Sequence, residues 1–518
     1  MMLGYKNLLL RSSRHRKRRR NDSKSKSTTT QSKKIFVAET KQSSNFATKV
    51  AEEEEGEEEV GFSLKTCHYN NHVVQPLGNL YFIPNLRNCR DTGLGNLQKL
   101  TDELVLDILG LLGGTHLGIL STVSKSFYVF CNHEPIWRNL VLENYNGEFL
   151  YNGSWKSTFI ATFSPSFSLS RSVPTCLKVR DFFSDYLFQS WLCANLEMKP
   201  EWLERDNIQR RRGISVDDFV KNFEEPNKPV LLEGCMDNWV AFKKWDKDYL
   251  VKTCGSVKFS VGPVEMKLDD FFMYSEQAKE ERPLYLFDSS FVKKVPELGS
   301  GYEIPEYFRE DLFGILGNER PDYRWIIVGP AGSGSSFHID PNSTSAWNAV
   351  IRGSKKWVLF PPDVVPPGVH PSPDGAEVAS PVSITEWFMN FYEETKQWKK
   401  RPIECVCKAG EVIFVPNGWW HLVFNLEDSI AITQNFVSRR NLLNVLDFIQ
   451  RPNAKNLVSG TRDRVNLHDN FKAAIETSFP GTIAELMSKE AEKIAQLKKP
   501  TFWEAASDAK GGAFKFSF

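Results

Sequence analysis

A histidine and an aspartate two positions apart are the residues whose types and spacing most directly suggest metal chemistry. His338 and Asp340 stand in the segment Ser-Phe-His-Ile-Asp-Pro, and His338 alone among the nine histidines has an acid two residues later. Side chains at positions i and i+2 of an extended strand point to the same side. One strand would therefore present an imidazole and a carboxylate to a single metal ion.

A third ligand must come from elsewhere in the chain. His370 lies in a proline-rich loop and His468 opens a polar helical segment, whereas His421 follows a Pro-Asn-Gly-Trp-Trp turn at the start of a predicted strand. We therefore predict that His421 completes the set. Two imidazoles and one carboxylate form the facial triad of non-haem iron(II) oxygenases, which leaves open positions for a cosubstrate and dioxygen.

An anionic cosubstrate would also need a cationic anchor. Lys355 begins the segment Lys-Lys-Trp-Val-Leu-Phe, in which alternation would place Lys355, Trp357 and Leu359 on one face. An ammonium on an inward face needs an anion, because its desolvation is otherwise costly. The pattern leaves open whether Lys355 or Lys356 points inward. Three polar side chains could bind the same ligand, although each alone is more often structural: Ser335, Asn348 and Thr433.

Short strands must position these residues. From about residue 213, short apolar or alternating segments are separated by Gly, Pro and Asn, which favours a sandwich or barrel, and a jelly roll is one way to close such a set. The predicted strands are residues 229–232, 284–287, 325–328, 347–351, 356–360, 412–415, 421–424 and 430–436.

Helical patterns flank the strands. Residues 97–145 predict three short amphipathic helices, residues 146–198 form an aromatic-rich connection, and the chain after residue 463 is again helical. The last segment carries an apolar stripe, for which packing on its own domain and a dimer contact are equally good interpretations. The stripe consists of Ile483, Leu486, Met487, Ile494 and Leu497.

Charge is segregated in the first 75 residues, although the net charge of the chain is only +1. Twelve Lys or Arg residues precede position 35 against one acid, and seven glutamates follow at positions 52–59. Such blocks stay solvated, so residues 1–75 are predicted to be a disordered tail. The basic cluster at residues 16–20 predicts a nuclear localisation signal; a polyanion-binding tail and a mitochondrial presequence are the alternatives.

The composition excludes several classes of protein. The 518 residues are 41% hydrophobic, which suits two or three soluble domains. No apolar run approaches the roughly 18–20 residues of a membrane span, so we expect no membrane segment, and we expect no secretory signal. Nine scattered cysteines favour free thiols in a reducing compartment. Cys405 and Cys407 are expected to be buried thiols rather than half of a zinc site.

Several separated motifs, in order along residues 200–450, resemble the Jumonji-C family. Within that family they are similar to the subgroup of the nuclear arginine demethylase/lysyl hydroxylase once taken for a phosphatidylserine receptor. The motifs are His-Ile-Asp-Pro at 338–341, Thr-Ser-Ala-Trp-Asn-Ala at 344–349, Lys-Lys-Trp-Val-Leu-Phe-Pro at 355–361, Val-Pro-Asn-Gly-Trp-Trp-His at 415–421 and Ile-Ala-Ile-Thr-Gln-Asn-Phe at 430–436, with Pro-Leu-Tyr-Leu-Phe-Asp-Ser-Ser at 283–290 and Tyr-Arg-Trp at 323–325 upstream.

The resemblance implies a double-stranded β-helix of the α+β class over residues 199–450, with Fe(II) on His338, Asp340 and His421. It implies that Lys355 binds the distal carboxylate of 2-oxoglutarate. Ser335 would assist, where the subgroup usually has threonine, so one methyl group is lost and the donor is kept. The remaining implied site residues are Asn348 and Thr433 in the cosubstrate pocket, Tyr285 beside it and Trp325 nearer the substrate.

The helical module at 97–145 resembles an F-box, from Leu-Thr-Asp-Glu-Leu at 100–104 to Trp-Arg-Asn-Leu at 137–140. F-boxes dock on the Skp-type adaptor of cullin ubiquitin ligases. Thr101 follows Leu100 where an F-box usually has proline, so this sequence departs from the pattern. An F-box ahead of this subgroup looks like the plant F-box/Jumonji-C arginine demethylases.

Three functions follow from these resemblances as hypotheses. The first is a nuclear histone arginine demethylase acting in chromatin regulation. The second is a protein lysyl hydroxylase with the same site, and the third is a substrate receptor of a cullin ubiquitin ligase. The corresponding domain plan is a tail at 1–75, the F-box-like module at 97–145, a connector at 146–198, the catalytic domain at 199–450 and a helical region at 451–518, which could form a homodimer.

Overall fold

Two β-sheets that face each other form the centre of the protein. The structure, a computed structural model, describes residues 74–82, 85–163, 177 and 179–497. The predicted tail, with its basic and acidic runs, lies outside the described residues except at its end. There, Val74–Gln75 pair with Phe182–Phe183, so the last residues of the predicted tail form a short strand.

Seventeen strands occur in the described residues. They are β1 (Val74–Gln75), β2 (Phe182–Phe183), β3 (Arg210–Arg212), β4 (Val230–Glu233), β5 (Lys258–Val261), β6 (Val264–Lys267), β7 (Leu286–Asp288), β8 (Arg324–Gly329), β9 (Gly334–His338), β10 (Ser345–Arg352), β11 (Ser354–Phe360), β12 (His370–Pro371), β13 (Val378–Ala379), β14 (Ile403–Lys408), β15 (Glu411–Val415), β16 (Trp420–Asn425) and β17 (Ser429–Phe436).

Thirteen of these strands build the two facing sheets. The larger sheet has the order β3-β4-β15-β10-β17-β8-β7-β5-β6, and the smaller has the order β14-β11-β16-β9. Neighbours are antiparallel apart from β3 and β4, which are parallel. The crossovers between the sheets give the jelly-roll topology of a double-stranded β-helix, which is the α+β fold that the sequence predicted.

The interior between the sheets is filled by side chains from both. Val350 and Ile413 from the larger sheet lie in one buried cluster with Trp357, Leu359 and Val423 from the smaller sheet. Alternate positions of each strand point into this interior, because the side-chain period of a strand is two. The strand pairing therefore decides which polar residues face each other inside.

Strand β11 is covered on both of its faces. Trp357 lies in the interior cluster, whereas Val358 and Phe360 belong to a second cluster on the outer face. The helices Ile384–Asn390 and Tyr392–Thr395 contribute to that outer cluster. A strand buried on both sides is expected to be almost continuously apolar, so the two lysines at its start are exceptional.

Within the described residues, the α-helices lie before and after the two facing sheets and in the connections between strands. Their bounds are Cys89–Gly93, Asp102–Leu109, Gly114–Leu120, Lys125–Cys131, Glu134–Tyr145, Trp155–Phe163, Asp185–Asn195, Pro200–Leu203, Val216–Phe219, Val240–Lys244, Lys247–Cys254, Leu268–Ser275, Phe291–Lys294, Pro296–Gly299, Ile384–Asn390, Tyr392–Thr395, Leu442–Ile449, Ala454–Leu457, Leu467–Ser478 and Thr482–Leu497. In the described part of the chain, no helix is both long and apolar enough to cross a bilayer.

Shorter helical turns complete the chain. A π-helical turn, Val220–Glu224, continues the helix Val216–Phe219. The 3₁₀ turns are Leu77–Phe82, Gly95–Lys99, Glu306–Phe308, Leu312–Glu319 and Pro341–Ser343.

The N-terminal helical module contains four helices between residues 102 and 145, where the sequence predicted three. The predicted second helix is divided, because Ser124 takes an extended conformation and its hydroxyl accepts a hydrogen bond from the backbone N–H of Phe127. A serine at this position is a strong N-cap. The hydroxyl also donates to the carbonyl oxygen of Gly93 at 2.6 Å, which fixes the start of the new helix.

The C-terminal helices pack against the catalytic domain through their own apolar cluster. Leu442, Phe471 and Ile475 are buried in it together with Phe313. The phenyl rings of Phe313 and Phe471 lie 4.4 Å apart. The C-terminal region is therefore joined by apolar contacts to the turn Leu312–Glu319.

The predicted apolar stripe of the last helix divides into two parts. Ile483 is buried and Leu486 packs against the C-terminal cluster. Met487 and Ile494 expose 59% and 43% of their surface. Packing on its own domain thus accounts for the first part of the stripe, and the second part remains at the surface.

Candidate active site

Strands β9 and β16 bring the three predicted metal ligands together. His338 ends β9 and is paired with His421 near the start of β16, and Asp340 follows two residues after His338. One ligand atom from each of the three side chains lies within 4.8 Å of the other two. The imidazole centroids of His338 and His421 are 4.1 Å apart. This spacing suits three donors around one metal ion.

Both imidazoles are oriented by the carbonyl group two residues earlier in the chain. The Nδ1 of His338 lies 2.8 Å from the carbonyl oxygen of Ser336, and the Nδ1 of His421 lies 3.1 Å from that of Trp419. A carbonyl oxygen only accepts, so Nδ1 carries the proton in each ring. The Nε2 atoms are then left with their lone pairs for a metal, which is the usual arrangement of metal-ligating histidines.

Asp340 holds a carboxylate oxygen that lacks a protein partner. Its Oδ2 is buried, and no described residue donates a hydrogen bond to it. Burial raises the pKa of Asp340 above its ordinary value, although His421 and the Asn435 amide act in the opposite direction. A buried acceptor without a donor is costly, and a bound cation would remove that cost.

The donor set therefore fits iron(II). Desolvation, followed by the proximity of His421, lowers the pKa of His338 well below its ordinary value, so this imidazole stays neutral and able to ligate. Two neutral nitrogens and one carboxylate oxygen are the ligands of a facial iron(II) site. When bound, iron(II) would supply dioxygen activation and electron transfer to and from the cosubstrate.

A β-bulge places Ser335 on the same side as the metal ligands. Ser335 pairs with Val423 and His338 pairs with His421, so three steps along β9 match two along β16. The extra residue lets side chains three positions apart face the same way. Gly334 makes the close approach feasible, because a Cβ there would lie 2.0 Å from the carbonyl oxygen of Val423. The hydroxyl of Tyr285 hydrogen-bonds Ser335, and burial raises the pKa of Tyr285.

Lys355 points into the interior and joins the two sheets. Its Nζ donates to Asn425 Oδ1 at 2.7 Å and to Ser429 Oγ at 2.9 Å. Both acceptors are neutral, and no described carboxylate forms an ion pair with this ammonium. Burial lowers the pKa of Lys355 to about 7. A buried ammonium with one N–H remaining and no counter-ion among the described residues suits the distal carboxylate of a dicarboxylic acid.

Lys356 is also buried, but on the opposite face of β11. Its Nζ lies 2.9 Å from Glu404 Oε2 and donates to the carbonyl oxygen of Arg205 at 2.9 Å. Tyr392 donates its hydroxyl to the same Glu404 oxygen at 3.0 Å. Alternation left open which lysine points to the interior between the sheets. The structure places Lys355 there without a carboxylate partner among the described residues, whereas Lys356 on the other face is paired with Glu404.

Asn348 and Thr433 lie side by side on neighbouring strands of the larger sheet. Asn348 is buried, and its Oδ1 has no hydrogen-bond donor among the described residues. The hydroxyl of Thr433 donates to the carbonyl oxygen of Trp347 at 2.9 Å, so its proton is already used. Asn348 is therefore the better placed of the two to bind a ligand.

Trp325 forms part of an aromatic wall on the same sheet. It is paired with Thr433, and its ring stacks on Phe287 with centroids 5.3 Å apart and an angle of 21° between the planes. Two positions further along β17, Asn435 contributes the amide that acts on Asp340. Even spacing along β17 turns Thr433 and Asn435 to one face, so the stacked pair shares the face of the sheet from which Asn435 acts on Asp340.

Four residues of the site were not predicted from the sequence. Asn425 and Ser429 accept from Lys355, Asn435 lies beside Asp340, and Trp357 stacks on His421 with centroids 5.8 Å apart. Asn425 is four residues from His421, and Ser429 is four residues from Thr433. An even spacing along a strand gives the same face, and this signal could have found both.

The other candidates of the sequence analysis lie apart from this site. Cys405 and Cys407 are buried free thiols, and desolvation raises the pKa of both. His370 is exposed on the short strand β12, and His468 pairs with Asp469. Within the described residues, only His338, Asp340 and His421 group as metal ligands.

This chain is similar to known proteins, both in one domain and along most of its length. Residues 216–441 match the family model of a cupin-like domain. The chain is 70% identical over 460 residues to Arginine-specific demethylase JMJ22 of Arabidopsis thaliana, which covers 88% of this chain and 91% of that protein.

Two relatives match the catalytic part. Bifunctional arginine demethylase and lysyl-hydroxylase psr-1 of Caenorhabditis elegans is 40% identical over 257 residues, 46% of this chain and 63% of psr-1. The human 2-oxoglutarate and iron-dependent oxygenase JMJD4 is 31% identical over 268 residues, with the same two shares. Together with the cupin-like fold, these similarities show that the chain belongs to the Jumonji-C family of iron(II)- and 2-oxoglutarate-dependent oxygenases, in the subgroup of arginine demethylases and lysyl hydroxylases.

Proposed function

We propose that this dioxygenase is a protein arginine demethylase that acts on methylated arginine side chains. The observation that carries the proposal is the 70% identity with JMJ22 along nearly the whole of both chains. Hydroxylation of an N-methyl carbon gives a hemiaminal, which collapses to formaldehyde and an arginine with one methyl group fewer. The same hydroxylation at a lysine carbon would leave stable hydroxylysine.

The aromatic wall supports a planar cation as substrate. Phe287 and Trp325 are both only partly buried, and they stack on each other on the sheet face that also carries Asn435. Guanidinium groups, unlike ammonium groups, are planar and weakly hydrated and stack on aromatic faces. A methylated guanidinium held against Trp325 would keep its methyl group close to the metal ligands.

Each part of the site has a separate task in this reaction. The triad of His338, Asp340 and His421 would hold the iron, and Lys355 would bind the far carboxylate of 2-oxoglutarate. Asn348 would contact the cosubstrate from the opposite sheet. Trp357, which covers His421, keeps water from one side of the ligand.

Mass spectrometry of peptides tests the proposal. The full chain is incubated with iron(II), 2-oxoglutarate and histone peptides that carry monomethyl- or dimethylarginine, and with matched peptides that carry unmodified lysine. Loss of a methyl group with release of formaldehyde and succinate supports arginine demethylation. Gain of one oxygen on lysine without loss of methyl contradicts it and indicates lysyl hydroxylation. Asp340→Ala is the control for activity from contaminating enzymes.

We also propose that the substrates are histones and that the protein acts in the nucleus. The basic cluster at residues 16–20 supports nuclear import. Fusion of residues 1–40 to a fluorescent protein is expected to move it into the nucleus. Replacement of the five basic residues by glutamine should return it to the cytoplasm, and an unchanged nuclear signal would argue against this assignment.

An adaptor contact through the F-box-like module is a further proposal. Leu104, Ile108, Leu111 and Ile119 of this module expose between 40% and 70% of their surface, and exposed apolar groups mark protein contacts when they are contiguous. Co-purification with a Skp-type adaptor that is lost in Leu111→Asp would support the contact. Equal recovery of adaptor with both proteins would refute it.

The surface part of the C-terminal stripe suggests self-association. Met487 and Ile494 remain exposed on the helix Thr482–Leu497, and a homodimer would cover them. Sedimentation of the full chain and of Met487→Lys separates the possibilities. A dimer that the substitution dissociates is the expected result, and a monomer at all concentrations would contradict it.

A further inference from the structure

Two consecutive residues with left-handed backbone conformations follow the metal ligand Asp340. Asn342 has φ 55° and Ser343 has φ 58°. Asparagine is tolerated in this region, whereas other non-glycine residues are held there only by their surroundings, at a cost of the order of 1–3 kcal/mol. Ser343 is therefore a strained position three residues from a metal ligand, and something must hold it.

Asn417 makes side-chain hydrogen bonds to Ser343 itself, whereas the neighbouring Asn342 is held by two bonds to the backbone of Ser459. The Nδ2 of Asn417 donates to the carbonyl oxygen of Ser343 and, at 2.6 Å, to its Oγ. Asn417 is buried and stands four residues before His421, in the turn that leads into β16. One side chain thus joins the loop that carries Asp340 to the turn that carries His421.

The turn around Asn417 is itself fixed from the other side. Asn227 donates its Nδ2 to the carbonyl oxygen of Asn417 at 3.0 Å, and Trp419 donates its Nε1 to the carbonyl oxygen of Asn227 at 2.8 Å. Trp419 in turn supplies the carbonyl that orients His421. Asn417 therefore projects from a rigid turn and can impose its position on Ser343.

We propose that Asn417 is a positioning residue of the metal site, which sets the distance between Asp340 and the histidines by holding Ser343 in its left-handed conformation. The Ser343 backbone would otherwise relax to a negative φ, and the loop would move Asp340 away from His421. Outer contacts of this kind typically change metal affinity 10- to 100-fold. The inference rests on the metal site that the proposed function also uses, but it requires no substrate.

Metal binding to the purified full chain tests this role without catalysis. Manganese(II) is titrated into the wild-type protein, Asn417→Ala, Ser343→Gly and the double variant, and bound metal is followed by electron paramagnetic resonance and calorimetry. We expect Asn417→Ala to weaken manganese binding about 10-fold. Glycine adopts positive φ without strain, so Ser343→Gly alone should bind manganese as the wild-type protein does. The double variant should recover to within a few-fold of it.

The matched control is Asn88→Ala. Asn88 is equally buried and also holds backbone, through bonds to Phe183 at 2.7 and 3.0 Å, but it lies in the N-terminal helical region. Its loss should lower the melting temperature and leave manganese affinity unchanged. Wild-type affinity in Asn417→Ala overturns the proposal, as does a folded double variant that fails to recover. If Asn417→Ala does not fold, recovery of the fold in the double variant supports the proposal and its absence overturns it.

Discussion

His338 and His421 are directly opposite residues of neighbouring strands, and their imidazole centroids lie 4.1 Å apart. Burial lowers the pKa of His338, and the repulsion between two protonated imidazoles at this separation lowers it further. The pair is therefore arranged to donate lone pairs to one cation. The adjacent carboxylate of Asp340 supplies the negative charge that such a cation needs.

Asp340→Asn removes the negative charge of this side chain and keeps its shape, so the variant should show what the charge contributes to stability and to metal binding. In the presence of a chelator, the variant is expected to melt roughly 2–4 °C higher, because about 1 kcal/mol of buried-charge penalty disappears. Manganese(II) at 100 times its dissociation constant should stabilise the wild-type protein by about 2.7 kcal/mol and the variant hardly at all. Calorimetric melting curves with and without metal measure both effects. An undiminished shift with metal in the variant would remove Asp340 from the ligand set.

Lys355 predicts a pH dependence for 2-oxoglutarate binding. Burial holds the pKa of the ammonium at about 7 in the ligand-free protein, and a bound carboxylate would raise it. Affinity should thus be nearly constant below pH 7 and fall by up to about tenfold per pH unit above it. Titrations of the manganese-loaded protein from pH 6 to 9 measure this. Lys355→Met should bind about 10- to 100-fold more weakly and lose the pH dependence; a flat profile for the wild-type protein would contradict the assignment.

Lys356→Met should affect stability and leave cosubstrate binding alone. Removal of Lys356 leaves the buried Glu404 carboxylate with the Tyr392 hydroxyl and, at 3.6 Å, the partly exposed Arg205, so the free energy of unfolding is expected to fall by about 3 kcal/mol, the lower end of the range for a broken buried pair. The double variant Lys356→Met/Glu404→Gln should recover part of this loss. Denaturant unfolding gives the stabilities, and calorimetry gives the 2-oxoglutarate affinity of each folded protein. A strong effect on that affinity would mean that the two lysines share the anchoring role.

Trp325→Ala tests the aromatic wall as part of the substrate site. Loss of a cation–π contact worth about 0.5–2 kcal/mol should raise KM for a methylarginine peptide roughly 2- to 30-fold, with an unchanged KM for 2-oxoglutarate. Trp325→Phe keeps an aromatic face and should be intermediate. Steady-state kinetics with each substrate varied in turn distinguishes these effects. If only the KM for 2-oxoglutarate rises, Trp325 belongs to the cosubstrate pocket instead.

The proximity of two of the candidate metal ligands could be predicted because their spacing is local. His338 and Asp340 are two residues apart on an extended segment, and alternation alone turns them to one side. The orientation of Ser335 does not follow from alternation, because it is set by the β-bulge between β9 and its partner strand β16. A sequence shows the period of a strand, but an inserted residue is visible only when both strands are paired.

The orientation of the lysines depended on distant parts of the chain. Alternation places Lys355 and Lys356 on opposite faces of β11 but does not show which face is turned to the interior. Both faces of the strand are buried. The carboxylate that identifies Lys356 as structural comes from Glu404, about fifty residues away. Partners at such separations follow from the fold and are not encoded in the local pattern.

Three secondary-structure elements differ from those predicted from the sequence. A serine N-cap at Ser124 divides a helix that the apolar spacing made continuous. The strand predicted at 284–287 is β7, Leu286–Asp288, because Leu284 and Tyr285 precede the paired segment. The hairpin of β5 and β6 was missed, although Gly262 at its turn has φ 56°, which a two-residue hairpin turn requires.

Each iron-binding imidazole takes its direction from the carbonyl two residues before it, Ser336 for one ring and Trp419 for the other. The orientation of each ring is thus fixed by its own three-residue segment and does not depend on an acidic residue from a distant part of the chain. Loops that neither carry these carbonyls nor take part in the contact between Asn417 and Ser343 can therefore diversify toward new polypeptide targets without disturbing the coordination of the metal. Such an arrangement lets the choice of polypeptide substrate change during evolution while the metal-binding geometry is kept.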